Sequence, residues 1–181
     1  TAGNRPLLFF FIYLESNVLN TLGVQPAQGR LFTPEETSRA GALAPPLAII
    51  SYELWQAVFG GQPLVGQTVN VDGRLHEILG IMPSGIDVMD NHTAIWLPLG
   101  LPAAIRQNRG FHILHVVGRL KDGVTPRAAQ TELSALVENW GERTGSSGHV
   151  PTNRPTRAAD HTLQIEPVQD CLLYTSDAAD D

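Results

Sequence analysis

Apolar residues in this chain gather into short runs with two different periods. Leu7 to Leu14 (LLFFFIYL) is unbroken, the pattern of a buried strand. Asn17 to Leu22 suits a short helical turn, and Gly23 stands where a helix commonly stops. After the connection GVQPAQGRLF, the stretch Thr33 to Glu36 (TPEE) starts a helix. Thr33 is placed to cap, Pro34 fits the first helical position, and Glu36 completes a capping box. That helix is short, because SRAGALAPP follows as a Pro-ended loop. Leu47 to Ile50 then reads as a short buried strand running into Ser51. Ser51 caps a helix whose apolar stripe is Leu54, Trp55, Val58 and Phe59, and Gly60-Gly61 end it.

Strict alternation appears next. Val69 and Val71 alternate with polar residues, Asp72-Gly73 makes a two-residue turn, and Leu75 to Ile81 returns. Asp-Gly between apolar runs predicts a hairpin, because both turn residues tolerate positive φ. Gly80 in the returning strand marks a bulge or a close approach, and Pro83 ends the strand. Ile95 to Leu99 (IWLPL) reads as a further strand, with Pro98 assigning its end to a sheet edge. His112 to Leu120 predicts a strand, KDG a turn, and Thr125-Pro126 a helix start. Along that helix Ala129, Leu133, Leu136, Val137 and Trp140 form one apolar stripe. Thr162 to Val168 closes the series as a strand, so the last third predicts a βαβ unit.

Composition narrows what such a chain does. At 181 residues with 43% hydrophobic content there is material for one domain or two small ones. No apolar run reaches the roughly 18 residues that cross a bilayer. The formal charge of −6 and the scattered Lys and Arg argue against a nucleic-acid surface.

Candidate chemistry is sparse. His112 and His115 are three apart, which on a strand points them to opposite faces. His76 and His92 lack a ligand partner at metal-site spacing, so no metal is expected. Glu35 and Glu36 form a carboxylate pair, better explained by the positive end of a helix than by catalysis. Ser51 and Ser84 read as a cap and a loop residue, and no G-x-S-x-G elbow or phosphate loop occurs. Trp55 reads as a core anchor rather than a ligand platform. Asn91-His92-Thr93 matches a glycosylation sequon, a pattern common by chance. An enzymatic alternative is a secreted hydrolase using His92 with Asp90. The expectation is no catalytic residue and no cofactor.

Taken in order, LGVQPAQGRLFTPEE, LAIISYELWQAVFGGQPLVGQTVNVDGRLHEILGIMP, AIWLPL and HVVGRLKDGVTPRAAQTEL resemble the MacB-like periplasmic core domain of ABC transporter permeases in the FtsX/MacB group. The resemblance runs from about Asn17 to Asp170, with QPLVG one residue shorter than the family's usual spacing. It implies an α+β fold: a porter-like βαβ part plus an inserted lobe of β-hairpin and short helices. Residues 1–28 would open the porter-like part, 29–105 form the inserted lobe, and 106–170 carry the βαβ part. The resemblance further implies a segment outside the bacterial cytoplasmic membrane, joined to transmembrane helices. A cytoplasmic ATPase subunit would drive it toward export or lipoprotein and envelope processes, with a periplasmic partner protein and a dimer in the full transporter. A secreted interaction or adhesion module is the alternative of another class.

The end of the chain, CLLYTSDAADD (residues 171–181), departs from everything before it. It resembles an in-frame translation of the adapter used in transposase-based sequencing libraries, on a fragment of a longer gene. Cys171, the only cysteine, then carries no redox information. Without Asp177, Asp180 and Asp181 the balance is 15 acids against 12 bases.

Overall fold

The structure, a computed structural model, describes residues 8–38, 44–86, 92–102, 104–105, 114–138 and 164–168. The chain divides into two compact units, residues 1–111 with 168–181, and residues 112–167.

The first unit is built on one mixed sheet. Its strands are β1 (Phe10–Leu14), β2 (Gln28–Gly29), β3 (Leu47–Ile50), β4 (Thr68–Val71), β5 (Arg74–Ile81) and β6 (Thr93–Pro98). They lie in the order β1-β6-β3-β5-β2, with β4 paired to the first half of β5. β1 runs parallel to β6 and β3 parallel to β5, while β3–β6, β2–β5 and β4–β5 are antiparallel. The helices are α1 (Ser16–Leu22), α2 (Pro34–Thr37) and α3 (Tyr52–Phe59).

Alternation along the central strands divides their side chains between two apolar layers. Ile95 and Leu97 of β6 and Ala48 and Ile50 of β3 join Leu54 and Trp55 of α3 on one face. Trp96, Ile49 and Leu14 point to the other, where Leu19 of α1 and Phe32 cover them. The sheet is therefore sandwiched, which explains why β3 and β6 read as continuous apolar runs.

Local sequence accounts for most of these elements. Gly23 (φ 76) and Gly60 (φ 60) end α1 and α3 in the left-handed conformation, each donating its N–H back to the last turn. At α2 the Glu36 carboxylate accepts the Thr33 N–H at 2.8 Å and grips Arg30 through both guanidinium nitrogens at 2.8 and 2.9 Å. The Asp72-Gly73 turn has both φ values positive (54 and 83), as its hairpin requires.

β5 carries an irregularity. Ala48 pairs with Ile78 but Ile49 with Gly80, so Leu79 is the extra residue of a bulge. The Leu79 carbonyl turns to accept the Arg30 N–H at 3.0 Å on the β2 side. That close approach is why Gly29 and Gly80 face each other across β2 and β5.

Two expectations need correction. β1 was expected to be buried, yet Phe10 and Tyr13 are exposed, because among the described residues β1 has a neighbouring strand on one side only. β6 was expected to end at a sheet edge, yet it lies between β1 and β3 with all six residues buried. Pro98 is accommodated because it is the last residue of the strand, and the next residue, Leu99, donates to Leu14 instead. β1 and α1 share sheet and core with the later strands.

In the second unit the expected helix is present as α4 (Pro126–Glu138), its first turn capped by the Thr125 hydroxyl accepting the Ala128 N–H at 3.2 Å. Gly123 (φ 79) makes the preceding turn. Residues 114–120 and 164–167, the described parts of the strands expected at 112–120 and 162–168, have no strand pairing among the described residues. An extended segment becomes a strand only when its backbone groups find a neighbouring strand, and these make none among the described residues. The Ile165 N–H donates to the Gln130 side-chain oxygen at 2.8 Å. Trp140, His112 and residues 171–181 lie outside the described residues.

Candidate functional site

Where β3 passes into α3 and β6 begins, a groove of about 490 Å3 opens in the first unit. Its polar lining is Ser51, Glu53, Ser84, His92 and Thr93, against an apolar wall that includes Leu54. The local fold explains each position. Ser51 ends β3 and its hydroxyl oxygen accepts the Leu54 N–H at 3.0 Å, the cap that starts α3. Glu53 stands in the first turn of α3, where the helix dipole favours an acid. One of its oxygens accepts from the Ser84 hydroxyl at 3.1 Å and the Gly85 N–H at 3.0 Å, tying the turn after β5 to the helix. His92 precedes β6 with φ 47, a left-handed conformation uncommon for a non-glycine residue.

The chemistry open to this arrangement depends on where the protons go. A serine nucleophile needs its hydroxyl proton within reach of a base that will carry it to a leaving group. The Ser84 proton points instead to a carboxylate that also holds Gly85, and the Ser51 oxygen is engaged by the helix backbone. These groups build a turn and a cap. Asp90, the expected partner of His92, lies outside the described residues.

The remaining sequence candidates are dispersed. Glu36 is held below the usual carboxylate range, chiefly by its hydrogen bonds from Arg30, and belongs to the α2 cap. Trp55 is a core residue whose indole N–H donates to the Gln62 carbonyl at 2.7 Å, beside Tyr52 at 5.5 Å. His115 is exposed in the second unit. His76 is 6% exposed on β5, and burial pushes its imidazole below the ordinary value. Among the described residues no group of three or more His, Cys, Asp and Glu could hold a metal ion. The Glu53 tie to Ser84 and Gly85 had no sequence signal, because it joins residues far apart in the chain.

Surface apolar residues are more prominent than surface chemistry. Leu8 and Phe9 just before β1, and Phe10 and Tyr13 within it, are exposed in the first unit. Leu114, Val116 and Leu120 are exposed before α4 in the second. Contiguous exposed apolar surface marks contact with another surface more often than catalysis. No helix of the described residues is long and apolar enough to cross a membrane.

Comparison with known proteins points the same way. The family model described as the MacB-like periplasmic core domain matches residues 3–136. The match thus takes in β1, before the expected start at Asn17, and stops within α4. None of the curated proteins matches the chain. Among solved structures, the periplasmic region of MacB from Actinobacillus actinomycetemcomitans superposes with a TM-score of 0.50 at 16% identity, covering 73% of this chain and 56% of that one. A domain of a Porphyromonas gingivalis protein named as a permease gives a TM-score of 0.47 at 17% identity, covering 82% and 65%. The extracellular domain of the ABC-type transporter YknZ from Gram-positive bacteria gives 0.37 at 21%, covering 49% and 42%. The chain thus spans little more than half of the MacB region whose α+β fold it shares.

Proposed function

Because this chain belongs to the family of MacB-like periplasmic core domains, we propose that it is the extracytoplasmic portion of an ABC-type permease. The observation that carries the proposal is the family match across residues 3–136, supported by the α+β fold of the first unit. In this role the domain performs no chemistry of its own. A cytoplasmic ATPase supplies the energy, transmembrane helices of the same permease transmit the motion, and this domain moves a cargo or a partner on the outer side. Export and lipoprotein or envelope work are both served by such a device. The division of labour within the chain is also part of the proposal: residues 29–105 as the inserted lobe, 106–170 as the porter-like part, and 1–28, whose β1 and α1 pack into the sheet and core of the lobe, leading into it.

Two features suit the mechanical reading. The sandwiched sheet, with β3 and β6 buried on both faces, makes the first unit a stiff body able to pass on a displacement. Its exposed apolar strand β1 offers contact surface rather than a reaction centre. The same strand equally suits a secreted interaction module, the second reading. The hydrolase reading rests on His92 with Asp90, and Asp90 lies outside the described residues.

The test is made on the permease that carries this domain, assembled with its ATPase in lipid nanodiscs. Val65, exposed between α3 and β4, is replaced by cysteine and spin-labelled. Label-to-label distances are then compared without nucleotide and with ATP trapped by vanadate. The proposal expects a defined distance, from two copies in one complex, that shifts on trapping. A distance indifferent to nucleotide would contradict the coupling, and no interlabel distance would contradict the dimer.

A further inference from the structure

A second hollow, of about 200 Å3, opens on the face of the sheet that carries α3. Its walls include Phe11 and Tyr13 of β1, Leu97 of β6, and Val71, Arg74 and His76 of the β4–β5 hairpin. Phe11 and Tyr13 meet edge to face, their ring centres 5.9 Å apart. The polar feature is His76. Its Nδ1 lies 3.0 Å from the Arg74 carbonyl oxygen, which can only accept, so Nδ1 carries the proton. That assignment leaves a lone pair on Nε2, and among the described residues no group donates to it. Burial, and to a lesser degree the Arg74 guanidinium, oppose a second proton on the ring. The ring is largely buried with a fixed tautomer, while Nε2 stays open to solvent, so a donor from outside can reach it.

Size and chemistry restrict what brings that donor. An apolar protein cavity of about 150 Å3 takes one benzene, and drug-sized ligands occupy about 300 Å3 or more. A hollow of about 200 Å3 therefore holds a single six-membered ring with one small substituent. A carboxylate has no proton to give Nε2 and would meet Asp72 on the rim. An ammonium group would sit beside Arg74. An aliphatic alcohol would forgo the ring contacts that Phe11 and Tyr13 offer.

We propose that this hollow binds a phenolic group, the ring against Phe11, Tyr13, Val71 and Leu97 and the hydroxyl donating to His76 Nε2. The site does not depend on how the domain is coupled to a membrane, and it is distinct from the groove at Ser51 and Glu53. It gives the outer surface of the domain a chemically selective contact, met either by a free phenol or by a tyrosine side chain of a partner.

The test is an NMR titration of the whole chain, following the His76 Hε1 signal and the Phe11 and Tyr13 ring signals. The ligands are p-cresol, toluene and N-acetyl-tyrosinamide. The expected result is a saturable shift with p-cresol and binding of toluene weaker by about fivefold, the worth of one net hydrogen bond. N-acetyl-tyrosinamide binding at least as tightly as p-cresol assigns the site to a polypeptide tyrosine, and binding of p-cresol alone assigns it to a free phenol. His76→Phe, with its hairpin amide shifts unchanged, is expected to bind both ring ligands equally. Absence of a saturable shift, or equal affinity for p-cresol and toluene in the unaltered chain, overturns the proposal without recourse to the variant. In that event the Nε2 of His76 is satisfied by water alone.

Discussion

At the scale of single residues, the bulge in β5 is the least forgiving place in the first unit. A Cβ on Gly80 would lie 2.7 Å from the Arg30 carbonyl oxygen and 2.9 Å from that of Gln28. A Cβ on Gly29 would run into the Leu79 carbonyl, and Gly29 also has φ 73. Neither neighbour is a side chain able to swing away. Gly29→Ala is therefore expected to cost about 2 kcal/mol or more, and Gly80→Ala somewhat less, read as a shift in urea midpoint with unchanged slope. His76 sets a pH dependence. Its folded-state value lies below the ordinary 6.5, so the unfolded chain takes up the proton first. Its contribution is complete above about pH 6.5 and is lost as pH falls from there toward the lower folded value. Thermal melts of the unaltered chain and His76→Gln should converge in slope above that pH, with only the unaltered chain showing the His76 loss below it. Gly80 was visible in the sequence as an interruption of a strand. Its partner Gly29 was not, because pairing of β2 with β5 is set by the fold and leaves no local pattern.

Among the elements, those with their own start and stop chemistry were legible and those defined by neighbours were not. α3 combines a Ser51 cap, an apolar stripe and a glycine stop, and each appears as read. Ser51→Ala should cost about 1 kcal/mol, measured by chemical denaturation. Glu36 offers a finer comparison. Glu36→Gln keeps an acceptor for the Thr33 N–H and loses the ion pair, whereas Glu36→Ala loses both. The exposed Arg30 partner limits the charge effect to about 0.2–1 kcal/mol, so Gln should fall between wild type and Ala. The strands taught the opposite lesson. LLFFFIYL and IWLPL are both apolar runs, yet among the described residues β1 has a neighbouring strand on one side only and β6 on both. A run of apolar residues reports affinity for a sheet and says nothing of how many neighbours the strand will have. For the same reason residues 114–120 carry strand-like composition without strand pairing among the described residues: the partner is missing from the pattern.

For the molecule as a whole, the order of blocks was more informative than any candidate site. The series of capped helix, strand, helix, hairpin and strand falls within residues 3–136, the span that the family model matches. Among the described residues Glu36 serves a helix cap, Glu53 ties a turn to a helix, and His76 stands on a buried strand. The role in contact and displacement proposed above must therefore be tested on surfaces, since function resides in sites and surfaces rather than in the fold alone. The central claim is that this surface faces outward from a cytoplasmic membrane. The most direct test replaces the exposed Leu75 by cysteine in the full permease and treats intact spheroplasts with a membrane-impermeant maleimide. Labelling of intact spheroplasts equal to that of lysed ones is the expected result. Labelling only after lysis would place the domain inside the cell and contradict the account.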